Sequence, residues 1–123
     1  SLYDVPAGKR TWPPHSHYGN EEALFVLDGG GRLFLGEDGE EHALESGDYV
    51  ALPTGKEHTH EVEAGEGGLR LLVVSEMNDP DLTYMPTRNG VHVFAGAPPG
   101  GDSSERDFSA LLDLDAELDY WDE

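Results

Sequence analysis

The stretch HSHYGNEEALFVLDGGG, from His15 to Gly31, sets two imidazoles one residue apart and follows them with a carboxylate pair, an apolar run and three glycines. On a strand, residues two apart share a face, so His15 and His17 look one way and Ser16 the other. Glu22 follows a short loop at the start of the next apolar run, where a hairpin would set its carboxylate beside the two imidazoles. Buried without partners, such groups are costly. A divalent cation resolves the cost, because neutral imidazole and carboxylate are its natural ligands. A second source of imidazoles lies in GDYVALPTGKEHTHEVEAG, Gly47 to Gly65: His58 and His60 are again two apart and are delivered by a turn at Pro53 and Gly55. His42 and His92 stand among polar or mixed neighbours and are read as surface or second-layer residues.

These groups need short strands to carry them. Alternating or apolar runs place strands near Leu2–Val5, His15–Tyr18, Ala23–Leu27, Arg32–Leu35, Glu41–Leu44, Tyr49–Leu52, Thr59–Glu63, Leu69–Ser75 and Val91–Phe94. Between them stand GEDGE at 36–40, ESGD at 45–48, PTGKE at 53–57 and EAGEGG at 63–68, all turn signals. Many short, evenly spaced strands predict an all-β sandwich or barrel. From Asn78 the texture becomes loop-like, and AGAPPGGDSS at 95–104 has a linker composition. The domain reading is therefore a barrel over 1–94 and an acidic C-terminal extension over 95–123, packed on the barrel or on a partner subunit. Phe108, Leu111, Leu112 and Leu118 fall at roughly helical spacing, which suits a short amphipathic helix capped by Ser103 or Ser104, so the C-terminal tail is expected to be helical or extended. Tyr120 and Trp121 are expected to close one end of the barrel or to meet a neighbouring subunit.

The charge balance excludes whole classes of partner. Asp and Glu number 26 against 7 Lys and Arg, a net charge of −19. Such a surface repels phosphate backbones and anionic membranes, so neither nucleic acid nor a membrane is an expected partner. Only Lys9 and Lys56 are lysines, and an acidic, lysine-poor surface suits strong screening in high salt. Cysteine is absent, which removes disulfides and thiolate chemistry. No run reaches transmembrane length and none reads as a signal peptide, so a cytoplasmic protein is the expectation.

The two histidine segments together resemble the paired motifs of the cupins, small double-stranded β-helix or jelly-roll barrels. The first motif of that family, H-x-H followed by E and then G, corresponds to His15, His17, Glu22 and Gly29. The second, G-x5-P-x-G and then H, corresponds to Gly47, Pro53, Gly55 and either His58 or His60. Two departures stand out: Gly8 is one residue out of register with the usual opening glycine, and the closing asparagine is replaced, by Val62 or Ala64 depending on the histidine chosen. The wider text, including NEEALFVL, VVSEM and VFAGAPPGG, is similar to single-domain cupins common in halophilic archaea, where a longer gap selects His60. The resemblance implies one divalent metal held by His15, His17, Glu22 and His60, with His58 as the alternative to His60. It makes Glu21 a solvent-facing neighbour. Iron, manganese, nickel, zinc and copper all suit these ligands.

Three imidazoles and one carboxylate leave two positions open on a six-coordinate ion, as catalysis requires. Two function classes follow. One is an enzyme acting on a small oxygenated metabolite, of oxygenase or sugar-isomerase type, with Arg10, Arg32 or Arg70 available for a phosphate. The other is a non-catalytic module that binds or senses a small molecule in the barrel. Edge strands of an open barrel also predict a homodimer.

Overall fold

The structure is a computed structural model that describes residues 1–121; Asp122 and Glu123 lie outside the described residues. Among the described residues nine strands form two antiparallel sheets, the all-β jelly-roll arrangement expected. The larger sheet holds β1 (Leu2–Val5), β3 (Glu22–Leu35), β4 (Glu40–Glu45), β5 (Tyr49–Leu52) and β6 (His60–Ser75). Its order is β1-β6-β3-β4, with β5 sharing the β4 edge of β3. The smaller sheet runs β2-β7-β8-β9, built from Ser16–His17, Asp81–Met85, Gly90–Ala95 and Phe108–Asp113.

The core follows from strand alternation. Leu24, Val26 and Leu33 of β3 and Val62, Ala64, Leu69 and Leu71 of β6 turn inward, together with Val5, Leu44 and Leu52. On the other face of β3, Phe25 and Leu27 are exposed.

Two expected interruptions turn out to be continuous strand. Gly29–Gly31 and the EAGEGG stretch are not turns; they lie where β3 and β6 pair along most of their length, with register shifts between Val26 and Asp28 and between Gly29 and Gly31. Long strands must bend to enclose a barrel, and bulges supply that bend. Gly29 has φ +78°, and a Cβ there would run into the Gly68 carbonyl oxygen. The glycine signal therefore marked a bulge rather than a chain reversal.

Of the two forms expected for the C-terminal tail, helical or extended, the structure takes the extended one over Phe108–Asp113. Phe108–Asp113 is strand β9, registered on β8 from Ala95↔Phe108 to Gly90↔Asp113. A free β8 edge offers every backbone group a ladder partner, which so short a helical segment could not match. Ser103–Glu105 forms only a 3-10 turn, capped by Asp102, whose side chain accepts from the Ser104 amide. Tyr120 and Trp121 are 88 % and 82 % exposed and meet each other edge to face, so they do not close the barrel. Asp81–Met85, read as loop, is strand β7. Among the described residues no helix is long and apolar enough to cross a membrane.

Gly29→Ala adds a clash against backbone to an unfavourable φ. It should lower stability by about 1–3 kcal/mol, measured by urea unfolding; an unchanged midpoint would show that the bulge does not need glycine.

Candidate metal centre

The two sheets meet at His15 and His60. The His15 amide donates to the His60 carbonyl at 3.2 Å, and the His60 amide donates back to the His15 carbonyl at 2.9 Å. This reciprocal pair places the two side chains on one face, with ring centroids 4.5 Å apart. His17 follows two residues on, along the same face, and pairs with Thr83 of β7. Glu22 opens β3 and shares the inward parity of Leu24 and Val26. Glu21 is exposed, as expected.

One ligand atom from each of His15, His17, Glu22 and His60 lies within 4.8 Å of all the others. His58 is not in this cluster. It ends the 3-10 turn Lys56–His58, outside the ladder that aims His60 inward, and its ring lies 3.8 Å from Glu57. The turn is tied to the site through its leading glycine: the Gly55 amide donates to the His17 carbonyl at 3.0 Å, and Gly55 has φ +109°.

Each imidazole is held by Nδ1. That nitrogen of His15 lies 2.9 Å from the Pro13 carbonyl, that of His60 lies 3.0 Å from the His58 carbonyl, and that of His17 lies 2.7 Å from Asp81 Oδ2. All three Nε2 atoms are thereby left for a shared ligand. On the Nε2 side, Glu22 Oε1 stands 3.0 Å from His17 and 3.6 Å from His60. Nitrogen and oxygen donors, an outer anchor on every imidazole and one carboxylate together fit a divalent cation.

Asp81 was not anticipated. Its segment reads as NDPDLTYM, loop by composition, and a lone aspartate carries no sequence signal of its role. Its side chain is fully buried and accepts from the Gly19 and Leu82 amides at 3.0 and 2.8 Å besides facing His17.

The electrostatics are polarised. Burial lowers the His15 imidazole to about 4, and the neighbouring His60 acts in the same direction. Burial also disfavours charge on His17, but hydrogen bonds to Asp81 and Glu22 outweigh it and raise that ring to about 9. Burial pushes Glu22 upward, yet its hydrogen bonds to His17 and His60 hold it well below the usual carboxylate range.

Beside the cluster lies a cavity of about 630 Å³, walled in part by Tyr3, Trp12, Leu24, Met77, Met85 and Phe94. Trp12 packs edge to face on Tyr3 at 5.1 Å and on His15 at 6.1 Å. None of the residues lining the cavity is Lys or Arg. Arg10 pairs with Glu61 and Glu63, Arg32 with Glu41 and Glu63, and Arg70 with Asp4, so none of the three waits for a phosphate inside. His42 is exposed, whereas His92 lines the cavity.

Residues 1–75 match the family model described as a cupin domain. The chain is a cupin. A segment of 53 residues is 40 % identical to quercetin 2,3-dioxygenase of Bacillus subtilis; it spans 43 % of this chain and 15 % of the dioxygenase. Two solved structures share the fold over nearly the whole chain. One is a sugar phosphate isomerase of the cupin superfamily from Silicibacter pomeroyi (TM-score 0.75, 22 % identity, 94 % of this chain and 66 % of that one). The other, from Acidithiobacillus ferrooxidans, is provisionally named a sugar phosphate isomerase (TM-score 0.73, 24 % identity, 95 % of this chain and 67 % of that one). At these identities the likeness is one of fold.

Two predictions follow from the geometry of this cupin. Asp81→Asn removes the charge that orients His17 and should weaken zinc binding by about 10–100-fold, read by competition with a chelating dye; unchanged affinity would make Asp81 a fold residue only. A metal ion bound at His17 Nε2 must also displace the proton that faces Glu22 there. Zinc affinity should therefore climb by about tenfold per pH unit from 7 toward 9 on account of His17 and level off above that. A flat profile over that interval in calorimetric titrations would contradict it.

Proposed function

We propose that this cupin is a metal-dependent enzyme that acts on a small oxygenated metabolite with an apolar body, an oxygenase- or isomerase-type reaction on a chelating substrate. The observation that carries the reading is the placement of the four-residue cluster against an aromatic and aliphatic cavity wall. A bound divalent ion would supply Lewis acidity, polarising the oxygens of a chelating molecule. The chain supplies the rest. Trp12, Leu24 and Phe94 offer apolar surface for the body of the substrate and limit water beside the reacting atoms. Asp81 fixes the orientation of His17 from behind.

The same wall argues against a phosphorylated sugar. A phosphate dianion in this cavity would find no Lys or Arg among the lining residues and would lie near Glu22, in a chain of net charge −19. Support for isomerisation of sugar phosphates thus rests on shared fold alone, whereas the dioxygenase match is at least one of sequence, over part of the chain.

Protein loaded separately with iron(II), manganese(II), nickel(II), copper(II) or zinc(II) should be screened against catechols, diketones, 2-hydroxy acids and sugar phosphates, following oxygen uptake and product. Turnover is expected on an apolar compound with paired oxygens, lost in His60→Ala and kept in His58→Ala. Saturable binding without product would assign a binding module instead. Turnover that survives complete metal removal, or a preference for sugar phosphates, would overturn the reading.

A further inference from the structure

The inner face of the smaller sheet carries a second polar group, remote from the cluster. His17 of β2 is registered on Thr83 of β7, and Thr83 on His92 of β8. Directly opposed residues of antiparallel strands project to the same side of the sheet, so the three stand in a row across it. Two strand spacings separate the ends of the row, which puts the Cα atoms of His17 and His92 about 10 Å apart. All three residues line the same cavity.

The His92 ring is held in place. It lies over Phe94 with centroids 4.0 Å apart and planes 23° from parallel. Its Nε2 lies 2.9 Å from Ser109 Oγ on β9. Phe94 is in turn covered by the Arg106 guanidinium, 5.1 Å from its centroid, and Arg106 donates to the carbonyls of Ala97 and Pro98. Among the described residues Nδ1 of His92 has no hydrogen-bond partner. Burial, reinforced by the Arg106 charge, lowers this imidazole from its ordinary value, which leaves it neutral at pH 7. A neutral imidazole is both donor and acceptor. Thr83 stands between it and the cluster in that row, and Met85 and Phe94 line the same cavity on either side of the row.

We propose that His92 is a specificity residue that hydrogen-bonds the far end of the substrate, so that the cavity selects a flat, apolar molecule with paired oxygens at one end and a polar group at the other. This rests on the reading of His15, His17, Glu22 and His60 as the metal site. The row of registered residues defines the length of the molecule: its chelating oxygens sit at the His17 end, its body crosses above Thr83, and its second polar group reaches His92.

Zinc-loaded protein and two probes test this. Catechol carries the paired oxygens alone; 4-nitrocatechol adds a polar group across the ring. Zinc binding is measured first, by calorimetry, for wild type, His92→Ala and His92→Gln, and is expected to be equal in all three. Dissociation constants for both probes then follow from competition and from the 4-nitrocatechol absorbance. Wild type should hold 4-nitrocatechol about tenfold more tightly than His92→Ala does. Catechol affinity should be the same in both, and His92→Gln should recover part of the loss. Equal 4-nitrocatechol affinity in wild type and His92→Ala would overturn the assignment. So would an equal loss for both probes, which would mark His92 as a wall residue. Failure of wild type to bind zinc would appear in the first titration, and would remove the metal site and this inference together.

Discussion

The site depends on one pair of backbone hydrogen bonds, those exchanged between His15 and His60. They join the start of β6 to the segment leading into β2, and so stitch the edge of one sheet to the edge of the other. Because directly paired residues point the same way, the same two bonds that close the barrel also aim two imidazoles into it. Closure and site are therefore a single feature. Moving the register of either segment by one residue would turn its imidazole to the opposite face and part the two rings. His17 depends on the pair through its position two residues along, and Glu22 through the start of β3, which lies between Leu52 and Ser75 in the larger sheet.

A second constraint is how the few cations are used. Arg10 and Arg32 are committed to Glu61, Glu63 and Glu41, and both guanidiniums sit over Phe34, at 5.0 and 5.3 Å from its centroid. In a chain with so few positive charges, this bracing spends two of the three arginines that a phosphate reading would need. The third, Arg70, faces Asp4 across β1 and β6. What remains around the cavity is mostly hydrocarbon, aromatic rings and histidine, with Glu22 at the cluster and a few hydroxyls, and a surface of that kind distinguishes substrates by shape and by a few hydrogen bonds more than by a basic anchor.

The sequence exposed the near half of the site and hid the far half, for physical reasons. His15, His17 and Glu22 lie close along the chain, where strand parity and one hairpin suffice to bring them together. Choosing between His58 and His60 required knowing which residue meets His15 across the ladder, and parity treats the two alike because they are two apart. Asp81 and Thr83 were not legible as site residues because their strand was not: NDPDLTYMPTRNG is rich in turn formers, and β7 becomes a strand only because β2 and β8 flank it. His92 lay on an expected strand, Val91–Phe94, but without β7 and β9 beside it nothing in the sequence told which face it shared. The same override made β9 from a segment of helical spacing. Strands that exist through their neighbours leave little local trace. The glycines misled in the other direction, since a bulge and a turn demand the same residue.

The carboxylates on either side of His17 explain how such a site can exist before any cation reaches it. Three imidazoles and a carboxylate buried together would leave Glu22 as an uncompensated charge in a wall of low polarity. His17 relieves this by holding a proton between Asp81 and Glu22, which its distances of 2.7 and 3.0 Å to the two acids allow. The proton stands in for the cation: it neutralises Glu22, keeps the ring in the orientation a metal needs, and occupies the nitrogen a metal would take. His15, pushed far below its ordinary value by burial and by His60, stays neutral. On the proposed metal reading, the barrel folds around one proton and would exchange it for a divalent ion, with the four side chains of the cluster already in position. Asp81 is what makes the exchange workable, because it keeps its hydrogen bond to Nδ1 in either state and so holds the ring in one orientation.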